Sequence, residues 1–135
     1  MNTATPYLFV YGTLRSNFDI YAKQHISGCM ELVGTAEVRG RMYDMGDYPA
    51  AVPVTGEEES TIRGEVFLLR DPDKVFAALD SYEGDAYGRS EVDVMLPDGR
   101  QEKAWIYWYR NSVEGKELIQ YKDYVEYLKN KNSVY

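Results

Sequence analysis

Ser90-Glu91-Val92-Asp93-Val94-Met95-Leu96-Pro97-Asp98-Gly99-Arg100-Gln101-Glu102-Lys103-Ala104-Trp105-Ile106-Tyr107-Trp108-Tyr109 carries the strongest fold signal in the chain. Two runs rich in β-branched and aromatic residues flank Pro97-Asp98-Gly99-Arg100. Asp-Gly tolerates positive φ, so the two runs predict strands joined as a hairpin. Along the second run Trp105, Tyr107 and Tyr109 share one face, while Ile106 and Trp108 share the other. Apolar side chains on both faces predict a sheet covered on both sides.

Upstream of this hairpin lies the best-defined helix. Asp71 is a good N-cap and Pro72 fits the first helical position. Val75, Phe76, Leu79 and Tyr82 recur at helical spacing, and Gly84 supplies a left-handed stop. Further upstream, Tyr7-Leu8-Phe9-Val10-Tyr11 predicts a buried strand ended by Gly12-Thr13. Residues 31–43, broken by Gly34 and Gly40, predict one or two bent strands. Gly46-Asp47-Tyr48-Pro49 reads as a turn, residues 55–60 as a solvated loop and residues 62–69 as a strand. Residues 17–26 read as a short helix. Residues 116–130 read as a longer one, with Leu118, Tyr121, Val125 and Leu128 on one side. Five or more strands with two or three helices make an α+β domain. Its bends are consistent with a small barrel, and pattern alone does not separate a barrel from an open sheet.

The length, 135 residues, predicts one domain spanning 1–135. The formal charge is 15 − 22 = −7 and the sequence pI is about 4.7. That sign gives no general attraction for phosphate backbones or anionic lipid, so neither a nucleic-acid nor a membrane partner is expected. Residues 1–6 are polar and lack the basic and apolar regions of a signal peptide. No apolar run approaches a membrane span. A cytoplasmic location and a monomer are the expectations.

The chain has one cysteine, Cys29, and one histidine, His25. A disulfide within the chain is impossible, and a Cys/His zinc site lacks ligands. A Cys29–His25 nucleophile pair has no evident orienting group, so Cys29 reads as a packing residue. Thirteen tyrosines outnumber the six Phe and Trp residues. Tyrosine suits a cleft for a small polar ligand and equally a half-wet core.

Two places break local rules. Tyr11-Gly12-Thr13-Leu14-Arg15 follows a buried strand, and its backbone N–H groups can form an anion-binding nest. Asp80, Glu83 and Asp85 cluster at the end of the predicted helix, where the macrodipole disfavours acids. The dipole and the like charges should both raise the Glu83 pKa and make it a better base near neutrality. A solvated acidic helix end, or Asp80 bonded to a neighbouring segment, is the plainer reading. A hard-metal site is a third reading, and no spaced set of oxygen ligands matches one.

At these places the chain resembles the gamma-glutamylcyclotransferase-like family. The resemblance runs through Phe9-Val10-Tyr11-Gly12-Thr13-Leu14-Arg15, Gly40-Arg41-Met42-Tyr43-Asp44-Met45-Gly46, Tyr48-Pro49-Ala50 and Arg63-Gly64-Glu65-Val66. It continues through Leu79-Asp80-Ser81-Tyr82-Glu83-Gly84, then Tyr87, Arg89 and Ala104-Trp105-Ile106-Tyr107. It spans residues 7 to about 110. The resemblance implies a small mixed β-barrel flanked by helices. It implies cyclisation of a γ-glutamyl group to pyroglutamate (5-oxoproline), with release of the attached amine and no cofactor or metal. It matches Glu83 to the family's catalytic glutamate, and Tyr11, Gly12, Thr13 and Leu14 to its substrate-holding loop. Tyr87, and Tyr107 or Tyr109, fall where relatives place ligand-contacting tyrosines. Residues 113–135 lack the Gly-Asp-aromatic ending of many relatives.

The implied chemistry is intramolecular. The substrate's α-amine attacks its own γ-carbonyl, so the site must fold the glutamyl arm into a near-attack conformer. Proton transfer from an α-amine of pKa about 8 to a Glu of pKa about 4.3 is uphill by roughly 5 kcal/mol. A raised Glu83 pKa narrows that gap. Donors must meet both the tetrahedral oxyanion and the substrate's α-carboxylate; the backbone N–H groups of residues 12–14 are candidates for either, and one oxyanion donor is worth about 3–4 kcal/mol. The alternatives are a non-catalytic small-ligand-binding or regulatory module of the same fold, and an amidase that uses water.

Overall fold

The computed structural model describes residues 6–11, 27–46, 49–56, 60–83, 86–119 and 123–132; for residues 27, 81–83, 125 and 130–132 the backbone alone is described. Eight strands and two α-helices follow one another along these residues. They are β1 (Tyr7–Val10), β2 (Met30–Arg39), β3 (Arg41–Asp44), β4 (Pro49–Val52), β5 (Thr61–Leu69), α1 (Pro72–Glu83), β6 (Tyr87–Met95), β7 (Gln101–Tyr109), β8 (Glu117–Ile119) and α2 (Tyr124–Asn132). A 3-10 turn, Ser27–Cys29, precedes β2.

Five strands form one sheet in the order β2-β5-β1-β7-β6, and three form a second in the order β4-β3-β8. β1 is the hub. It pairs antiparallel with β5 and parallel with β7, so the larger sheet is mixed. β2 bends at an irregularity between Leu32 and Gly34. Its Cα atoms then come within 8 Å of those of β6, the opposite edge. The sheet thus curls toward a barrel, and side-chain packing rather than a hydrogen-bonded ladder brings the two edges together. Ala36 and Val38 meet Val94 and Leu96 in one apolar cluster there.

The predicted hairpin forms with β6 and β7 in register from Tyr87↔Tyr109 to Met95↔Gln101. Its turn is closed by Gly99 N donating to Leu96 O (2.9 Å) and Leu96 N donating to Arg100 O (2.8 Å). Gly99 sits at φ 89°, the left-handed position that a three-residue hairpin loop requires.

Both faces of the larger sheet are covered. On one, Val75, Phe76 and Leu79 of α1 pack on Leu8, Val10, Phe67, Leu69 and Tyr107. Each such side chain contributes about 1.5–3 kcal/mol on burial. On the other, Phe9, Tyr11, Ile62, Val66, Ala104 and Ile106 meet Met42, Ala51 and Ile119 of the smaller sheet and Tyr124 and Tyr127 of α2. The Tyr127 hydroxyl lies 2.6 Å from Asp44 Oδ2 and 2.9 Å from Glu117 Oε2, tying α2 to β3 and β8.

The α1 cap forms as its sequence predicts. Lys74 N donates to Asp71 Oδ1 (3.4 Å), and Val75 N donates to Asp71 O (3.0 Å). Asp71→Ala should cost about 1 kcal/mol, read by chemical denaturation. An unchanged midpoint would remove the cap from the account of why α1 starts here.

Two expectations need correction. The tail is not helical from residue 116. Residues Glu117–Ile119 add β8 to β3, with Ile119 opposite Met42, and the helix begins at Tyr124. Ile119 is the residue buried in this segment, whereas Leu118 is 41% exposed. The helical spacing that included Leu118 was therefore fortuitous. Pro49 is not only a turn residue. It opens β4, whose Ala50 and Ala51 are fully buried. The expected helix at residues 17–26 and the Gly84 stop lie outside the described residues.

Candidate active site

Strand direction brings Tyr11, Tyr87, Tyr109 and the α1 terminus to one end of the larger sheet. β1 and β7 run parallel with Leu8 level with Trp105, so Tyr11 and Tyr109 both leave the sheet at its same end. β6 starts at that end, because Tyr87 pairs with Tyr109. α1 delivers Glu83, its last residue, four positions before Tyr87. β4 also begins here. The Tyr87 hydroxyl donates to the Pro49 carbonyl (2.9 Å).

The tyrosines have distinct surroundings. Tyr87 and Tyr109 form an edge-on pair with ring centroids 5.4 Å apart, and both are half-buried. Tyr11 is buried and its hydroxyl donates to the backbone carbonyl of Tyr107. The Tyr107 side chain points to the opposite face of the sheet, and its own hydroxyl donates to Asp80 Oδ1 (2.6 Å). Tyr107 is thus bonded to Tyr11 through its backbone and to α1 through its side chain.

Asp80, one turn before Glu83, is tightly held. Arg89 on β6 donates from Nε to Oδ1 and from a terminal nitrogen to Oδ2, both at 3.1 Å. The guanidinium also lies over the Phe76 ring (4.0 Å) and near the Trp105 ring (4.9 Å). A bidentate pair on an aromatic face suits arginine's planar fork. Partial burial works to raise the Asp80 pKa. The hydrogen bonds from Arg89 and Tyr107 and the Arg89 charge outweigh it, so the net shift is downward.

Of the two readings of Asp80, a like charge acting on Glu83 and a carboxylate bonded to a neighbouring segment, the structure bears out the second: Arg89 of β6 and Tyr107 of β7 hold it. No basic residue lies in the last turn of α1.

A depressed Asp80 pKa has a definite sign for stability. Its contribution is fully present above the unfolded-state value of about 3.8 and is lost as pH falls through the lower folded value. Melts of the wild type and Asp80→Asn should therefore differ above pH 4 and converge below it. A gap that persists at pH 2 would contradict the pairing.

Sequence reasoning missed one further residue. Glu65 is buried, at 6% exposure, in the middle of β5. It lies directly opposite Val10, on the face that α1 covers and close to where β1 ends. The available signal was a charged residue inside the apolar run Ile62-Arg63-Gly64-Glu65-Val66-Phe67.

Gly12, Thr13, Leu14, Arg15, His25 and Asp85 lie outside the described residues, as does the side chain of Glu83. Cys29 is half-buried against the α1 cluster, the position of a packing residue. Among the described residues no group of three or more His, Cys, Asp or Glu side chains is placed to hold a metal ion. Among them also, no helix is long and apolar enough to cross a membrane.

Comparison with known proteins places this arrangement in a family. A family model described as Gamma-glutamyl cyclotransferase, AIG2-like matches residues 8–126. The gamma-glutamylcyclotransferase family protein YtfP of Escherichia coli K12 is 32% identical over 122 residues, 88% of this chain and 96% of that protein. The solution structure of Escherichia coli ytfP matches with TM-score 0.64 at 31% identity, covering 89% of this chain and 96% of that one. The crystal structure of YkqA from Bacillus subtilis matches with TM-score 0.75 at 26% identity. It covers 95% of this chain, which spans 42% of that longer protein. The fold, the order of the motifs and these matches agree, and the chain belongs to the gamma-glutamyl cyclotransferase, AIG2-like family.

Proposed function

We propose that this protein is a γ-glutamyl cyclotransferase that converts a γ-glutamyl amine or amino acid to pyroglutamate and the free amine. The observation that carries the reading is the convergence at one sheet end of the Tyr11 strand terminus, Tyr87, Tyr107, Tyr109 and the α1 terminus at Glu83, in a chain of this family. Glu83 is the general acid/base. Tyr11, Gly12, Thr13 and Leu14 hold the substrate, and Tyr87 and Tyr109 contact it. The substrate is a small molecule, the reaction uses no cofactor, and the protein acts as a cytoplasmic monomer.

The proton balance fixes what Glu83 must do. The α-nitrogen enters as an ammonium with three protons and leaves as a lactam nitrogen with one. The leaving nitrogen gains two and departs as an ammonium. Glu83 takes one proton before attack, giving a nucleophilic amine. It gives that proton to the leaving nitrogen, whose C–N bond then breaks, and the freed carboxylate takes the second proton from the new lactam nitrogen and passes it to the departing amine. The γ-oxygen carries negative charge only in the tetrahedral intermediate, where N–H donors of the 12–14 loop would stabilise it. Water is not consumed. The reaction is unimolecular once the glutamyl arm is folded, so holding that arm is the main task of the site.

The test is product release from a panel of γ-glutamyl amino acids and γ-glutamyl-ε-lysine. Pyroglutamate is the expected product. Glutamate in its place would make the protein an amidase, and binding without turnover would make it a ligand-binding module.

A further inference from the structure

Tyr107 is bonded at both ends, and the two bonds reach the two halves of the site. Its carbonyl accepts from Tyr11, the residue that begins the loop after β1. Its hydroxyl donates to Asp80, one helical turn before Glu83. Arg89 completes the set by holding both Asp80 oxygens. Arg89 is itself fixed by Phe76 on α1 and Trp105 on β7. The Asp80 carboxylate therefore accepts three hydrogen bonds from two different strands.

We propose that Tyr107, Asp80 and Arg89 are positioning residues that hold the C-terminal turn of α1 in register with Tyr11 at the end of β1. The proposal rests on the γ-glutamyl cyclotransferase reading with Glu83 as base. Two observations carry it beyond ordinary packing. The first is redundancy at one point: three hydrogen bonds from two strands converge on the Asp80 carboxylate in the last turn of α1. The second is continuity. A single residue, Tyr107, links Tyr11 to α1, so a shift of either element is transmitted to the other. Apolar contacts of Val75, Phe76 and Leu79 fix how closely α1 packs on the sheet. Such contacts tolerate sliding, whereas a bidentate pair with a third directional bond does not. A cyclisation depends on this register, because base and folded substrate arm must meet within a hydrogen-bond length. A misplacement on the order of 1 Å is enough to slow such a step about 100-fold.

The groups facing Asp80 are Arg89 from β6 and Tyr107 from β7, with Glu83 following on α1. Their charges give a readout that packing alone would not move. Arg89→Gln removes the counter-charge from Asp80, one helical turn before the base. The acid limb of the kcat/KM profile should then move to higher pH. Tyr107→Phe keeps the buried ring and the backbone carbonyl and removes the bond to Asp80. It should lower kcat about 10- to 100-fold with KM changed less than twofold. Arg89→Lys keeps the charge without the fork, so it should restore the pH limb but not kcat.

The experiment measures pyroglutamate release against pH for the wild type, Tyr107→Phe, Arg89→Gln, Arg89→Lys and Glu83→Gln. Thermal melts at pH 7 accompany each. If Glu83→Gln abolishes turnover while the other folded variants keep wild-type kcat and pH limbs, the positioning inference fails and the assigned function stands. If Glu83→Gln turns over normally, the assignment of the base fails first. Should Arg89→Gln not fold, Tyr107→Phe still decides the matter through the split between kcat and KM.

Discussion

Glu83→Gln lowers kcat for pyroglutamate release by about 1000-fold, near the middle of the range for loss of a general acid/base. The size follows from what the variant removes. Glutamine is close to glutamate in volume and still fills the helix terminus, but it cannot carry a proton between the two nitrogens. Two proton transfers per turnover then fall to water. Substrate binding is expected to persist, because the loop after Tyr11 and the tyrosines of β6 and β7 are untouched. KM should therefore change little, the pattern for a group that acts in the transition state. Stability should hold or rise slightly, since the negative end of the α1 dipole disfavours a carboxylate there. A variant that keeps wild-type kcat would remove Glu83 from the chemistry.

Gly64→Ala destabilises the fold by about 3 kcal/mol and lowers Tm by on the order of 10 °C. Gly64 lies in the interior of β5, opposite Ala36 of β2. A Cβ there would lie 2.2 Å from the Val10 carbonyl oxygen and 2.8 Å from Phe9 Cζ. The Phe9 ring is buried and the Val10 oxygen is backbone in the central strand, so neither has a cheap way to move. Relief requires parting β1 from β5 at the Val10↔Glu65 pair. Val10 directly precedes Tyr11, so the same movement should disturb the site, and activity should fall further than the loss of folded protein accounts for. Differential scanning calorimetry reads the first effect. A Tm within 2 °C of the wild type would show that the two strands separate more easily than their packing implies.

Elements with a local chemical signature were legible in the sequence. Asp71 and Pro72 marked the start of α1, and Pro97-Asp98-Gly99 marked the hairpin, because caps and turns depend on neighbours in the chain. β4 was not legible. Ala50 and Ala51 have little strand preference, and they become a strand because their small side chains fit a fully buried position. β8 was misread because three residues are too short for a period. What decides them is Ile119 meeting Met42, a partner 77 residues away. Asp80 shows the same limit in the candidate site. Its place beside Glu83 could be read, but Arg89 and Tyr107, which offset its charge, are brought to it by the β6–β7 hairpin. Glu65 looked like part of a motif, and only the ladder shows that it is buried opposite Val10.

The most direct measurement is turnover of a γ-glutamyl amino acid in water enriched in 18O, with both possible products read by mass spectrometry. Attack by the substrate's own amine takes no oxygen from solvent, so pyroglutamate should appear without label and in equal amount to the released amine. Glutamate carrying one 18O would mean that water is the nucleophile and would contradict cyclisation.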